Sequence, residues 1–207
     1  MKIRGIVTGA ALTVLLVGMA GVVTAGEEKK MKATHEEADA TMEQYMKYAQ
    51  PGEHHAHLAR LTGIWDAKVT MWPTPGAEAQ RSTGMSKNRM ALGGRFMQIE
   101  YEGEFMGQKF EGLGIQGYDN GKKMHTDVWV DSMGTFIYPS KGSCSEGGSV
   151  LEMSGTYEDP VSGDTRSMKS ITRIIDDNKY ILTMYGHDPS SGEFKSMEIV
   201  YTRRQGA

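Results

Sequence analysis

Between Gly93 and Gly134 the chain reads strand, turn, strand, turn, strand, and no other feature restricts the fold as tightly. The three runs are Arg95 to Glu104, Lys109 to Gly117 and Lys123 to Asp131. They are broken by Phe105-Met106-Gly107-Gln108 and by Tyr118-Asp119-Asn120-Gly121-Lys122. In the first run Met97, Ile99 and Tyr101 alternate with Gln98, Glu100 and Glu102. Period two of this kind makes a half-buried antiparallel strand with one wet face. Asn120-Gly121 is a hairpin signal, because both residues tolerate φ > 0 and so match the twist of the flanking strands.

The remainder repeats the design. Further strands are expected at Ile64 to Trp72, Arg81 to Leu92, Thr135 to Tyr138, Ser149 to Glu158, Thr165 to Ile175, Lys179 to His187 and Glu193 to Arg203. Turn residues separate them, at Pro75-Gly76, Asp159-Pro160, Asp176-Asp177-Asn178 and Ser190-Ser191-Gly192. About ten strands in sequential hairpins predict an all-β fold, a single antiparallel up-and-down β-barrel over residues 61–204, since closure removes exposed edges. Cys144 is the only cysteine, so no internal disulfide can form and packing alone must hold the barrel. Its neighbours Gly142, Ser143, Ser145 and Glu146 have loop composition, and with no base beside it in sequence it reads as an incidental thiol.

Residues 26–60 read as a helical N-terminal arm. A helix is expected over 27–50, with Thr34 and Glu37 as a capping box and Ala38, Met42, Tyr45 and Ala49 as an apolar stripe. Pro51-Gly52 ends it, and a short helical turn over Glu53 to Leu61 follows, the whole packing as an arm or lid on the strands. Residues 1–25 have the form of a cleaved signal peptide: Lys2 and Arg4, an apolar run from Ile6 to Val23, then Val23-Thr24-Ala25. The expected product is exported, periplasmic or secreted, with no membrane contact after cleavage. A net charge of −3 and the lack of a long basic run argue against nucleic acid as a partner.

Three patterns bear on chemistry. Gly112-Leu113-Gly114-Ile115-Gln116-Gly117 matches the dinucleotide fingerprint, but a turn and another strand follow where a helix must open at the pyrophosphate. In a barrel strand these glycines instead permit sharp bending or close approach of a lid or ligand. His54-His55-Ala56-His57 has metal-ligand character, yet no cysteine or second tract adjoins it in sequence, so no metal is assigned. In Lys123 to Asp131 the odd positions place His125, Asp127, Trp129 and Asp131 on one face, steps of about 6–7 Å apart. That row either lines a cavity, where His125 and Asp127 could serve as acid and base, or is an ordinary wet strand face. Sixteen methionines suit either an adaptable apolar pocket or a plain core.

Leu61-x-Gly63-x-Trp65, Gly93-Gly94-Arg95-Phe96, Gly112-x-Gly114-x-x-Gly117-Tyr118-Asp119, Trp129-x-Asp131-Ser132-Met133-Gly134 and Tyr201-x-Arg203 together resemble the family named domain of unknown function 1579, over about Pro51 to Arg204. The resemblance implies a lipocalin-like, calycin-type barrel and brings no activity with it. A looser similarity to nitrobindin-like haem-binding barrels implies a haem-ligating histidine, for which His187 is the candidate. The resulting expectation is an exported protein holding a small, partly apolar ligand inside the barrel. Arg95, Tyr101, His125, Asp127, Trp129 and Asp131 are the expected ligand contacts, with Trp65 closing one end. A cavity enzyme using His125 with Asp127 or Asp131, and a structural barrel with a filled core, are the alternatives. The cofactor stays unassigned, and a homodimer is left open.

Overall fold

The computed structural model describes residues 25–160 and 162–205, so the expected leader lies outside the described residues except for Ala25. The chain divides between Tyr45 and Met46 into two units. The first is helical: α1 spans Ala25–Tyr48. Thr34 lies inside this helix and not at its start, its hydroxyl donating to the carbonyls of Lys30 and Met31. The expected capping box is therefore corrected, because the nine described residues before Thr34 are already helical. The expected apolar stripe is exposed, Met42 at 60% and Tyr45 at 69%.

The second unit opens with α2 (Glu53–Ala59) and then runs through ten strands. They are β1 (Gly63–Met71), β2 (Gln80–Ala91), β3 (Phe96–Phe105), β4 (Gln108–Asp119) and β5 (Met124–Asp131), followed by β6 (Tyr138–Cys144), β7 (Val150–Glu158), β8 (Thr165–Asp176), β9 (Lys179–Asp188) and β10 (Gly192–Arg203). Each pairs antiparallel with its neighbours in sequence, and β1 pairs with β10 to close the barrel. The all-β, up-and-down architecture read from the sequence is the one observed.

Two local expectations are corrected. The sixth strand lies at Tyr138–Cys144 and not at Thr135 to Tyr138. Pro139 sits next to the first residue of β6, opposite Val128, where a missing N–H is tolerated. The β4–β5 connection does not place Asn120 and Gly121 at positive φ; Lys123 takes that conformation instead, at φ 53°. Asp119 Oδ1 accepts from the Gly121 and Lys122 amides, and Asn120 Nδ2 donates to the carbonyls of Tyr48 and Gln50. The paired positive φ values occur at Met106 and Gly107, the two-residue loop between β3 and β4.

The end of the barrel under α2 is plugged. Leu58, Leu61 and Trp65 are buried there, and Trp65 Nε1 donates to the Leu61 carbonyl at 2.9 Å, which also accepts from Asn88 Nδ2 at 2.9 Å. The Arg203 guanidinium lies 4.1 Å above the Trp65 ring and donates to the carbonyls of Thr62, Arg60 and Asp177. Burying side chains such as Leu58 stabilises by about 1.5–3 kcal/mol each. Inside the wall of β1 to β3, Ala67, Ser86, Met97 and Tyr101 are buried as well. On β4 and β5 the polarity is reversed: Leu113, Ile115, Val128 and Val130 point outward and are exposed, while Gln116, His125, Asp127 and Asp131 point inward.

Candidate functional site

The inward row of β5 runs the length of the lumen. Asp131 and Trp129 lie toward the end away from α2, where the Trp129 indole donates to Asp131 Oδ2 at 3.0 Å. The ring rests on β4, where a side chain on Gly112 would strike it and one on Gly114 would only press on it, at 3.1 Å. The first two glycines of the fingerprint-like motif thus make room for Trp129, and the third, Gly117, for Phe96. Tyr138 and Tyr157 continue the aromatic wall across β6 and β7, their ring centres 5.2 Å apart and each beside Phe136. Asp127 sits deeper, its carboxylate 3.4 Å from the Ser140 hydroxyl. Burial pushes its carboxyl up to about 6, only partly offset by that hydroxyl.

Other expected contacts fall elsewhere. Tyr101 is buried in the wall, edge-on to Phe110, and burial raises its hydroxyl. Arg95 belongs to the β2–β3 turn at the α2 end, donating to the Leu92 carbonyl, and does not line the lumen beside Trp129. Trp65 lies in the plug. His125 and Asp127 point inward two residues apart, but the Asp127 carboxylate pairs with Ser140 and not with either ring nitrogen of His125, so they form no acid–base dyad. His187 is exposed on the outer face of β9, in a cleft of about 480 Å³ with Lys141, Ser154, Lys169 and Tyr185. That position does not fit an axial haem ligand inside the barrel.

The α2 end holds a second group that the sequence analysis did not assemble. His55 serves the fold, its Nδ1 accepting from the Gly52 amide at 3.0 Å at the start of α2. His54 stacks on Tyr118 with ring centres 4.0 Å apart and brings Nδ1 to 3.2 Å from Cys144 Sγ. His57 Nδ1 lies 3.9 Å from the same sulfur, and its Nε2 is 3.7 Å from Glu53 Oε1. His125, 1% exposed, is edge-on to His54 with ring centres 5.6 Å apart. Burial, then the neighbouring histidines, pull His125 down to about 4, so its ring is neutral near pH 7. Cys144 closes β6 and is not a loop thiol remote from any base. Burial pushes that thiol up, the opposite of what a thiolate nucleophile needs.

Comparison with known proteins agrees with the fold. No curated protein matches the chain. Rv2717c from M. tuberculosis is similar at a TM-score of 0.58 and 12% identity, covering 75% of this chain and all of that one. The S-type phycobiliprotein lyase CPES from Guillardia theta is similar at a TM-score of 0.52 and 7% identity, covering 76% of this chain and all of that one. Residues 50–203 match the family model described as a protein of unknown function, DUF1579, and the chain belongs to that family.

Proposed function

We propose that this chain is an exported binding protein that takes a small, partly apolar molecule into the barrel through the end away from α2. The observation that carries the reading is the state of the inward side chains from β5 to β7. Asp127, Trp129, Asp131, Tyr138, Ser140 and Tyr157 point into a closed barrel and are yet only half-buried. An inward side chain stays partly exposed where water enters the lumen, as in barrels large enough to hold a small ligand. The polarity reversal on β4 and β5 supports the same reading, since a wall selected for packing alone would turn Leu113, Ile115, Val128 and Val130 inward. Trp129, Tyr138 and Tyr157 suit a flat or apolar body, and Asp127 with Ser140 suits a hydrogen-bond donor at its inner end. The barrels similar in fold include a protein named as a phycobiliprotein lyase, which is compatible with small-molecule binding.

The test is uptake of a neutral apolar dye, Nile red, by the protein isolated from the periplasm, with native mass spectrometry of the same sample. Saturable uptake that falls at least 10-fold in Trp129→Ala but not in Val130→Ala, its outward neighbour on β5, supports lumen binding. Equal behaviour of the two variants, or no uptake and no co-purifying mass, overturns it. Fractionation of cells expressing the whole chain tests export: the periplasmic form should begin at Gly26.

A further inference from the structure

We propose that the α2 end of the barrel is a transition-metal site, in which His54, His57 and Cys144 supply three ligands and His125 the fourth. The nitrogen and sulfur donors of the first three lie within 4.8 Å of one another, although they come from α2 and from the end of β6, about ninety residues apart. Bonds of about 2.0 Å to nitrogen and 2.3 Å to sulfur at tetrahedral angles put the two donors about 3.5 Å apart. The sulfur stands 3.2 Å from His54 Nδ1 and 3.9 Å from His57 Nδ1, on either side of that value.

His125 is the independent observation. It is 1% exposed and neither ring nitrogen completes a hydrogen bond of full geometry, the one backbone group that interacts with the ring being at Gly117, so the buried imidazole is left with a polar deficit. A metal bond removes that deficit at one nitrogen. Glu53 stands where an outer partner is needed: with Nδ1 of His57 on the ion, Nε2 faces the carboxylate at 3.7 Å, so a small side-chain shift would complete the hydrogen bond that fixes a ligating imidazole. Gly148 has the space requirement of a built site. It sits at φ 65°, and a side chain there would collide with the His57 ring. A cavity of about 10 Å³ adjoins His57, His125 and Cys144, closed on its other sides mainly by apolar residues such as Leu58 and Leu151; it has the scale of one ion or one water and is far too small for an organic ligand.

Three imidazoles and a thiolate select a borderline or soft ion, Zn²⁺ or Cu⁺, over Mg²⁺ or Ca²⁺. Binding breaks the Cys144 S–H bond as the sulfur–metal bond forms, so one proton passes to solvent per ion bound. The site lies at the opposite end of the lumen from Trp129, so either proposal can fail alone.

The whole protein, stripped with a chelator, is titrated with Zn²⁺ against a chromophoric chelator and, separately, with Co²⁺. One Zn²⁺ per chain is expected, and Co²⁺ should give intense visible d–d bands with a near-ultraviolet sulfur-to-cobalt charge-transfer band. Cys144→Ser should lose that band and at least 100-fold in Zn²⁺ affinity while keeping its far-ultraviolet circular dichroism. Glu53→Gln should keep the band and lose about 10-fold in affinity, a response that a merely structural Glu53 would not give. Absence of stoichiometric binding, a pale octahedral Co²⁺ spectrum, or unchanged affinity in Cys144→Ser overturns the site.

Discussion

The contact between Trp129 and the β4 backbone makes Gly112→Ala a quantitative test of how the lumen wall is built. Gly112 is in extended backbone, so alanine is conformationally acceptable there and, by restricting the unfolded chain, would by itself stabilise by about 0.4–1 kcal/mol. Opposing this, the added methyl would sit 2.2 Å from Trp129 Cζ2 and 2.6 Å from Cη2, against an ordinary contact of 3.4–4 Å. The indole must retreat by more than 1 Å, and it is rigid and tied to Asp131 through Nε1 at 3.0 Å. Overpacking costs about 1–3 kcal/mol and loss of the hydrogen bond about 1 kcal/mol. The steric term wins, for a net destabilisation of about 1–3.6 kcal/mol, or about 2–14 °C in Tm for a domain of this size. Gly114→Ala is the internal control: its methyl would meet Trp129 Cε3 at 3.1 Å and Ile99 at 3.4 Å, a strain small enough for the two effects to offset. The assay is urea unfolding of both variants, repeated in a Trp129→Leu background. There Gly112→Ala should become neutral or stabilising. If it costs the same with and without the indole, or if the two glycines respond alike, the reasoning is refuted.

Two further predictions concern charge. Asp127 has its carboxyl raised from 3.8 to about 6, so the fold binds this proton more tightly than the unfolded chain does. The corresponding stability is fully present below pH 3.8 and lost as pH rises through 6, an effect of at most about 3 kcal/mol. Asp127→Asn should therefore raise the urea midpoint at pH 8 and leave it unchanged near pH 3.5; an equal shift at both values contradicts the assignment. Arg203→Lys removes a planar donor set that serves three carbonyls and stacks on Trp65. It should cost about 2 kcal/mol in thermal unfolding, whereas Arg89→Lys on the exposed face of β2 should change little, and parity between them would deny Arg203 its plugging role.

The barrel was legible because its cause is local. Period-two alternation such as Met97, Ile99 and Tyr101 against Gln98, Glu100 and Glu102 follows from the pleat itself, and short turns leave sequential antiparallel pairing as the natural outcome. The resemblance motifs, quoted separately, prove to be joined in space: Gly63, at φ 119°, leaves room for the Arg203 guanidinium, and Trp65 lies under it. What alternation does not encode is which face is the core. On β4 and β5 hydrophobicity assigns Leu113, Ile115, Val128 and Val130 to the interior, and the register assigns them to the exterior. The row His125, Asp127, Trp129, Asp131 was visible, but the seating of Trp129 against the wall depends on Gly112 and Gly114 of β4, a contact between strands.

The histidine–cysteine cluster was hidden for a reason of the same kind. Spacing within His54-His55-Ala56-His57 separates the three roles only once α2 is placed: His55 turns back to cap its own helix, while His54 and His57 face the barrel end. Cys144 carried loop-like neighbours because Gly142 must lack a side chain, which would collide with the Glu152 backbone across β6 and β7. Small residues there signal crowding between strands, not a loop. Extending β6 two residues at a time from Tyr138 through Ser140 and Gly142 places Cys144 on the inward face, and the β5–β6 register sets Gly142 beside His125. The corrected strand boundary together with that register brings a thiol and a buried imidazole to the same end of the barrel. A metal site dispersed over helix, hairpin and strand end is thus recoverable from register, and a search for ligands spaced closely in sequence passes over it.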